Sequence, residues 1–300
     1  MGVAKRVLIT GVSGFTGGYV RAELEASGWE VYGTGMHEVP EDHHYRRADL
    51  SSEGEVREVV AEIQPHAVVH LAGIAFVGHG DAEAFYRVNL LGTRNLLAAL
   101  AGEGRGLECV ILASSANIYG NATGGMLDED TSPNPANDYA VSKLAMEYMA
   151  RLWMDRLPVV IVRPFNYTGV GQAEVFLIPK IVSHFIRRAD TIELGNVDVS
   201  RDFSDVRDVA RAYRRLLDVC PAGKTVNICS GRAYSIRHIL KMCKDITGHS
   251  LHIKTNPAFI RANDVKTLCG DPAKLREVIG DWTPRPLRET LVWMLDQGAR

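Results

Sequence analysis

The sequence predicts an α/β fold: a doubly wound, mainly parallel sheet flanked by helices, with a smaller C-terminal α/β lobe. Three observations carry this reading. A short apolar strand at residues 5–10 runs into a glycine turn, Gly11-Val-Ser-Gly14-Phe-Thr-Gly17-Gly18, and then into a helical stretch at 19–27. Strand-length apolar runs and longer amphipathic runs keep alternating to residue 163, as parallel βαβ units require. The strand at 67–71 ends in Leu71-Ala72-Gly73, whose small residues permit close backbone approach at the sheet edge where ligands sit.

Composition bounds the function class. A chain of 300 residues can bury a large core and holds one big domain or two fused ones. Apolar content of 46%, charged content of 23% and a net charge of −2 are ordinary for a globular protein and give no reason to expect nucleic acid. Cys109, Cys220, Cys229, Cys243 and Cys269 are scattered and odd in number, so they form neither a disulfide framework nor a close metal-binding pair. No signal peptide and no apolar run of membrane length is evident. The expectation is a cytoplasmic protein with no metal and no membrane contact.

The glycine turn has a physical purpose. Gly11 permits a tight turn, Gly14 lets backbone approach a pyrophosphate, and Gly17 permits close helix packing. The spacing is GxxGxxG rather than GxGxxG. The second strand, at 29–34, lacks the acid that usually meets an NAD ribose: Gly35-Met36-His37 follows it, with Glu38 the first acid and Arg46 and Arg47 further on. Cofactor choice between NAD and NADP therefore stays open, and His37 reads equally as a surface residue or a phosphate contact.

Asp49-Leu50 precedes a helix at 53–64, and residues 83–101 read as one long amphipathic helix carrying Asn89. Asn89 either braces a neighbouring strand or faces solvent. The strand at 107–113 delivers Ser114-Ser115, followed by the loop Ala116-Asn117 and a long Gly/Pro/Asn-rich segment at 120–137. Asn137-Asp138 then caps a helix running to about 157, ahead of the strand 158–163.

That helix carries Tyr139 and Lys143, four residues apart and so on one face. A nearby ammonium favours phenolate, and a positioned tyrosine can then pass a proton. Ser115 leaves the preceding strand on the same side of the sheet. A hydroxyl, a phenol and an ammonium beside a dinucleotide point to redox work at a C–OH or C=O centre.

With these residues placed, the chain resembles the extended short-chain dehydrogenase/reductase family, in its nucleotide-sugar branch, over nearly its whole length. Gly11 to Gly17 resembles the family's dinucleotide turn, and Ser115 with Tyr139-x-x-x-Lys143 falls at its catalytic positions. Asn89-Leu-Leu-Gly-Thr93 and Arg163-Pro-Phe-Asn166 match further segments. Residues 163–172, 194–203 and 226–231 resemble GDP-4-dehydro-6-deoxy-D-mannose reductases within that branch. GDP-mannose 4,6-dehydratases share much of the pattern, but place Thr where this chain has Ser115 and a carboxylate where it has Asn117. Asn lacks comparable proton-transfer capacity, so the resemblance implies reduction or epimerisation rather than dehydration.

The resemblance also implies a site. NAD(P)H would contact Gly11, Ser13, Gly14, Phe15, Thr16 and Gly17, then Asp49, Leu50, Leu71, Ala72 and Gly73, then Asn89, Tyr139, Lys143 and Arg163. A nucleotide sugar would meet Phe76, Ser115, Asn117, Asn166, Lys180, Arg201 and Arg261. For Asn166 bracing of its loop, and for Lys180 plain solvation, stand as alternatives; Asp202 and Asp205 could equally pair with Arg201 or Arg207. Arg261-Ala-Asn-Asp264 lacks the proline and longer acid of the close reductase pattern.

Residues 1–165 are expected to be mainly dinucleotide-binding and 166–300 mainly a nucleotide-sugar lobe, with segments returning to the first domain. The implied reaction is NAD(P)H-dependent reduction at C4 of a GDP-linked 4-keto-6-deoxy sugar, giving GDP-D-rhamnose. A 4-epimerase retaining NAD is the alternative, ahead of a dehydratase or a non-catalytic dinucleotide-binding protein. A homodimer built on helices 83–101 and 139–157 is implied as well.

Overall fold

The computed structural model describes residues 4–39, 41–75, 80–120, 125–259 and 266–298. In chain order the first elements are β1 Arg6–Thr10, α1 Phe15–Ala26, β2 Glu30–Gly35, β3 Tyr45–Arg47, α2 Glu53–Ile63, β4 Ala67–His70, α3 Ala82–Phe85, a π-helical turn Tyr86–Gly92 and α4 Thr93–Glu103. Next come β5 Cys109–Ala113, a 3-10 turn Ala116–Tyr119, α5 Asp138–Arg151, β6 Val159–Pro164, β7 Asn166–Thr168, α6 Leu177–Ile186, β8 Thr191–Leu194, β9 Ser200–Asp205 and α7 Val206–Val219. The chain closes with β10 Thr225–Ile228, β11 Ala233–Ser235, α8 Ile236–Thr247, β12 His252–Thr255, β13 Thr267–Leu268, α9 Ala273–Ile279 and α10 Leu287–Gly298.

Seven strands form one parallel sheet in the order β10-β6-β5-β4-β1-β2-β3. Its central strands, β1, β4, β5 and β6, are apolar on both faces, as strands covered on both sides must be. Side chains alternate between two cores. Val7, Ile9, Val69, Ile111 and Val160 pack with α1, α7 and α9. Leu8, Val68, Val110, Leu112 and Ile161 pack with α2, α4 and α5. The doubly wound fold expected from the sequence is thus present. After β6 the chain builds a smaller lobe, whose core joins α6, α8 and α10 to β8 and β9. It adds one more strand to the large sheet, β10 beside β6, and α7 and α9 pack back onto that sheet's core.

Several boundaries depart from the sequence expectation. α1 begins at Phe15 rather than residue 19, because Gly17 and Gly18 lie in its first turns. A Cβ on Gly17 would stand 2.3 Å from the Gly11 carbonyl, so glycine here is a packing requirement. The single helix expected at 83–101 is α3, a π turn and α4 in succession. The sequence also predicts strands at 192–195, 225–229 and 251–254, which are β8, β10 and β12; the five short strands β3, β7, β9, β11 and β13 lie outside its expectations. β9 reads Ser-Arg-Asp-Phe-Ser-Asp, with no apolar alternation, yet it pairs with β7, β11 and β13. Its fully buried Asp202 accepts from Ser230 N at 2.9 Å, Ser230 Oγ at 2.6 Å and Gly231 N at 2.9 Å, which ties the lobe's loops together. Asp205 instead caps α7 and pairs with Arg207 at 2.7 Å.

Candidate active site

The carboxyl ends of β1, β4, β5 and β6 converge on one region. β1 opens into Gly11, which adopts φ +72°, and whose Cβ would stand 2.9 Å from the Ala72 backbone. Only glycine satisfies both demands. α1 then starts with Gly14 at its N-cap and no side chain bonded there. By contrast, Ser52, Asn137, Asp205 and Ser235 cap α2, α5, α7 and α8. Uncapped N–H groups at the positive end of a helix favour a phosphate. Ser13 and Gly14 are exposed there. Phe15 stacks on Tyr167 at 6.2 Å, and Thr16 Oγ1 lies 2.8 Å from the Tyr167 hydroxyl. This cradle fits the diphosphate of a dinucleotide.

Further along the same edge, the Leu50 carbonyl accepts from Asn95 Nδ2 at 2.9 Å, and the Asp49 carboxylate turns back onto Ser51 N at 2.8 Å. Leu71 N donates to the Thr10 carbonyl, locking the end of β4 beside β1. Gly73 is exposed, and its missing Cβ would stand 2.8 Å from Asn89 Oδ1 and 3.3 Å from Lys143 Nζ. Asn89 itself is fully buried inside the π turn. Such turns displace side chains from the α-helical register and cluster at functional sites. Here Asn89 Oδ1 accepts from Ile74 N at 2.9 Å, while Nδ2 donates to Ile74 O at 3.3 Å and Ser142 Oγ at 3.1 Å. Of the two readings left open for Asn89, the structure selects the brace.

α5 starts where the Asn137 side chain accepts from Ala140 N at 2.9 Å. Tyr139, Lys143 and Glu147 follow at four-residue intervals and are all buried. Ser115 is buried on the facing loop, and its Oγ accepts from Asn117 N at 3.1 Å. Burial pushes the Tyr139 phenol up to about 12, while the Ser115 hydroxyl pulls it the other way. Burial pulls the Lys143 ammonium down to about 8, opposed by Glu147. Lys143 Nζ donates to the Ala113 carbonyl at 2.8 Å. An ammonium-stabilised phenolate was expected from the spacing alone. In the folded site burial, with Tyr167, raises the phenol instead, and the Ser115 hydroxyl only partly opposes them.

The remaining sequence candidates lie in varied settings. Arg163 is buried and faces inward: it donates to Glu147 at 2.9 and 2.7 Å, to the Tyr119 hydroxyl at 2.9 Å and to the Glu129 carbonyl at 3.1 Å. Those bonds make its guanidinium an internal strut. Asn117, half-buried, sits in the 3-10 turn. Asn166 on β7 donates to the Asp202 carbonyl at 3.4 Å. Lys180 donates to the Glu193 carbonyl at 2.8 Å and lies 4.5 Å from the Phe259 ring centre. Arg201 lies on β9 between Tyr234 and Leu268 and donates to the Ser200 carbonyl at 2.9 Å. Phe76 and Arg261 lie outside the described residues.

Three residues near the site escaped the sequence reading. Glu147 stands four residues beyond Lys143 on the same face, a spacing that could have exposed it. Tyr167 lies inside the quoted 163–172 segment. His70, a polar residue ending an otherwise apolar strand, carried the faintest signal.

Known proteins resemble this chain along its length. Residues 8–294 match the family described as GDP-mannose 4,6 dehydratase. A GDP-6-deoxy-D-talose 4-dehydrogenase from Aggregatibacter actinomycetemcomitans is 36% identical over 92% of this chain and 92% of its own length. A GDP-6-deoxy-D-mannose reductase from Pseudomonas aeruginosa is 36% identical over 94% of this chain and 93% of its own. Among solved structures, a Burkholderia cenocepacia J2315 protein provisionally described as an epimerase is 51% identical, with a TM-score of 0.93 and 98% of each chain covered. RMD from Pseudomonas aeruginosa, complexed with NADPH, is 33% identical with a TM-score of 0.86, covering 99% of this chain and 98% of its own. MoeE5, complexed with UDP-glucuronic acid and NAD, is 30% identical with a TM-score of 0.87, covering 97% and 98%. Both forms of the nicotinamide dinucleotide thus occur in near structural neighbours, in keeping with the cradle at Gly11–Gly17. The chain belongs to the GDP-mannose 4,6 dehydratase family, within the extended short-chain dehydrogenases/reductases that bind NAD(P) and act on nucleotide sugars.

Proposed function

We propose that this protein exchanges hydride at C4 of a nucleotide sugar, with Tyr139 handling the proton on the C4 oxygen. The observation that carries the reading is the buried Tyr139 phenol facing Ser115, one helical turn from Lys143 and beside the glycine cradle. A bound nicotinamide would supply or accept the hydride. In the reducing direction Tyr139 gives its proton to the developing alkoxide, and Ser115 orients that oxygen. Lys143, against Gly73, keeps a positive charge near both. The Gly11–Gly17 turn and Gly73 hold the dinucleotide, while Asn117, Asn166, Lys180 and Arg201 are assigned to the sugar nucleotide. Asn117, lacking a carboxylate, supports no dehydration step.

Two net reactions share this chemistry. The 4-epimerase form returns hydride to the opposite face of the ketone and keeps its NAD; the 51% identical neighbour provisionally described as an epimerase favours it. The reductase form consumes NAD(P)H and converts GDP-4-dehydro-6-deoxy-D-mannose to GDP-D-rhamnose; the two 36% identical relatives that act on GDP-6-deoxy sugars favour it. Purified protein is to be given GDP-4-dehydro-6-deoxy-D-mannose with NADPH or NADH, and separately GDP- and UDP-hexoses with catalytic NAD. Stoichiometric cofactor oxidation selects reduction, and C4-inverted product at constant cofactor selects epimerisation. Neither outcome with any of these sugars refutes C4 chemistry.

The protein is further assigned to a homodimer through the helical segments 83–101 and 139–157. Exposed apolar side chains in these segments support this: Leu91 in the π turn, Val141 and Tyr148 on α5, and Leu152 just past its end.

A further inference from the structure

One buried titratable side chain beneath the site takes no part in the chemistry above. His70 ends β4 and is 2% exposed. Its Nδ1 lies 2.7 Å from Thr10 Oγ1, and its Nε2 lies 2.8 Å from Thr93 Oγ1. The direction of both bonds follows from their neighbours. The single hydroxyl proton of Thr93 goes to the Asn89 carbonyl at 2.7 Å, because a carbonyl oxygen only accepts. Thr93 Oγ1 must then accept from His70, so Nε2 carries a hydrogen. Burial, reinforced by the Lys143 ammonium, holds the imidazole down at about 3, so the ring is neutral and Nδ1 is an acceptor. The Thr10 hydroxyl therefore donates to Nδ1, and Thr10 Oγ1 accepts from Ala72 N at 3.2 Å.

The result is one directed chain of hydrogen bonds: Ala72 N–H to Thr10, Thr10 O–H to Nδ1, Nε2–H to Thr93, Thr93 O–H to the Asn89 carbonyl. Its two ends serve different parts of the site. Thr10 and Ala72 immediately precede Gly11 and Gly73, the glycines of the dinucleotide cradle. Asn89 grips Ile74 and Ser142, and Ser142 Oγ donates to the Tyr139 carbonyl at 2.8 Å. Every heteroatom of the threonine and histidine side chains is used, and all three residues are buried.

We propose that His70 is a positioning residue: as its Nε2–H tautomer it ties the dinucleotide cradle to the helix that carries Tyr139 and Lys143. This rests on reading Gly11–Gly17 and Gly73 as a dinucleotide site. A histidine that merely filled the core would set stability without setting cofactor affinity.

The first test uses the protein without cofactor. ¹⁵N-histidine NMR should show a neutral ring protonated at Nε2, unchanged between about pH 5 and 8, whose signals vanish in His70→Gln. A ring protonated at Nδ1, or one that titrates in that range, overturns the proposal. The second test measures NADPH and NAD binding with no sugar present. In His70→Gln the amide can still accept from Thr10 and donate to Thr93, so binding should stay within about threefold of the parent. His70→Leu leaves both hydroxyls without the ring, and binding should weaken about tenfold or more. Equal affinity in the two variants overturns the proposal, whatever their melting temperatures. If wild-type protein binds dinucleotide in this way yet turns over no nucleotide sugar, the C4 reaction fails and this inference stands. If it binds no dinucleotide at all, the reading of the cradle itself fails.

Discussion

Two buried cations, Lys143 and Arg163, lie twenty positions apart in the chain and meet opposite fates. Both are nearly sealed from solvent. Arg163 faces the Glu147 carboxylate across two bonds; burial works against its charge, yet Glu147 outweighs it and holds the guanidinium above its ordinary range. Lys143 has one neutral carbonyl at 2.8 Å, and Glu147 only partly offsets its burial, so the ammonium falls to about 8. The difference teaches which charge is structural. A bidentate, fully paired arginine fixes an arrangement. A lysine kept charged at a cost, beside an exposed glycine and a buried phenol, fits the proposed reaction.

Substitutions test that contrast, beginning with the phenol one helical turn from the lysine. Tyr139→Phe should lower turnover about 10²- to 10⁴-fold while leaving melting temperature and dinucleotide affinity near the parent's; steady-state kinetics beside a binding titration checks it. Glu147→Ala should cost about 3–5 kcal/mol, since it leaves Arg163 buried without its counter-charge, and denaturant unfolding reads this directly. It also removes the acceptor that Ser114 Oγ uses at 2.5 Å.

Lys143→Met should do the reverse for stability. The folded-state value near 8 lies below the ordinary 10.5. Between those limits the unfolded chain binds more protons, so folding stability of the parent rises with pH across that window. The penalty for burying the ammonium is fully present below about pH 8. The methionine variant should therefore lose turnover yet be more stable than the parent at pH 7, on the order of 1 kcal/mol or more, with the gap closing toward about pH 10. A variant less stable than the parent at pH 7 would place Lys143 in the same structural class as Arg163.

A third cation supplies the exposed extreme. β3 brings Arg47 alongside Gly35, where it lies 3.4 Å from both Glu38 and Glu55. Surface pairs of this kind are worth about 0–1 kcal/mol, so Arg47→Ala should scarcely change the melting temperature. If Arg47 meets the 2′-phosphate of NADP, the same change should weaken NADPH a few-fold and leave NADH alone, a difference that paired titrations resolve.

The sequence reading reached much of this architecture because its signals are local. Strands buried on both faces appear as apolar runs, and the glycine turn appears as spacing. Tyr139 and Lys143 announce themselves at i and i+4, and Asn137 announces the cap. β9 was missed because its polar residues are satisfied by distant loops, which no local periodicity records. The break in the 83–101 helix was missed for a related reason. Asn89 leaves the α-helical register to bond Ile74 and Ser142, residues 15 and 53 positions away.

The sequence by itself determined the doubly wound fold, the glycine cradle and the set of groups able to exchange protons, since each depends on residue type and short spacing. Tertiary structure alone decided their states. It raised the Tyr139 phenol by burying it, turned the Arg163 guanidinium inward by supplying Glu147, and set the His70 ring between two threonines from different elements. Desolvation and hydrogen-bond direction are properties of surroundings, and those surroundings exist only after folding.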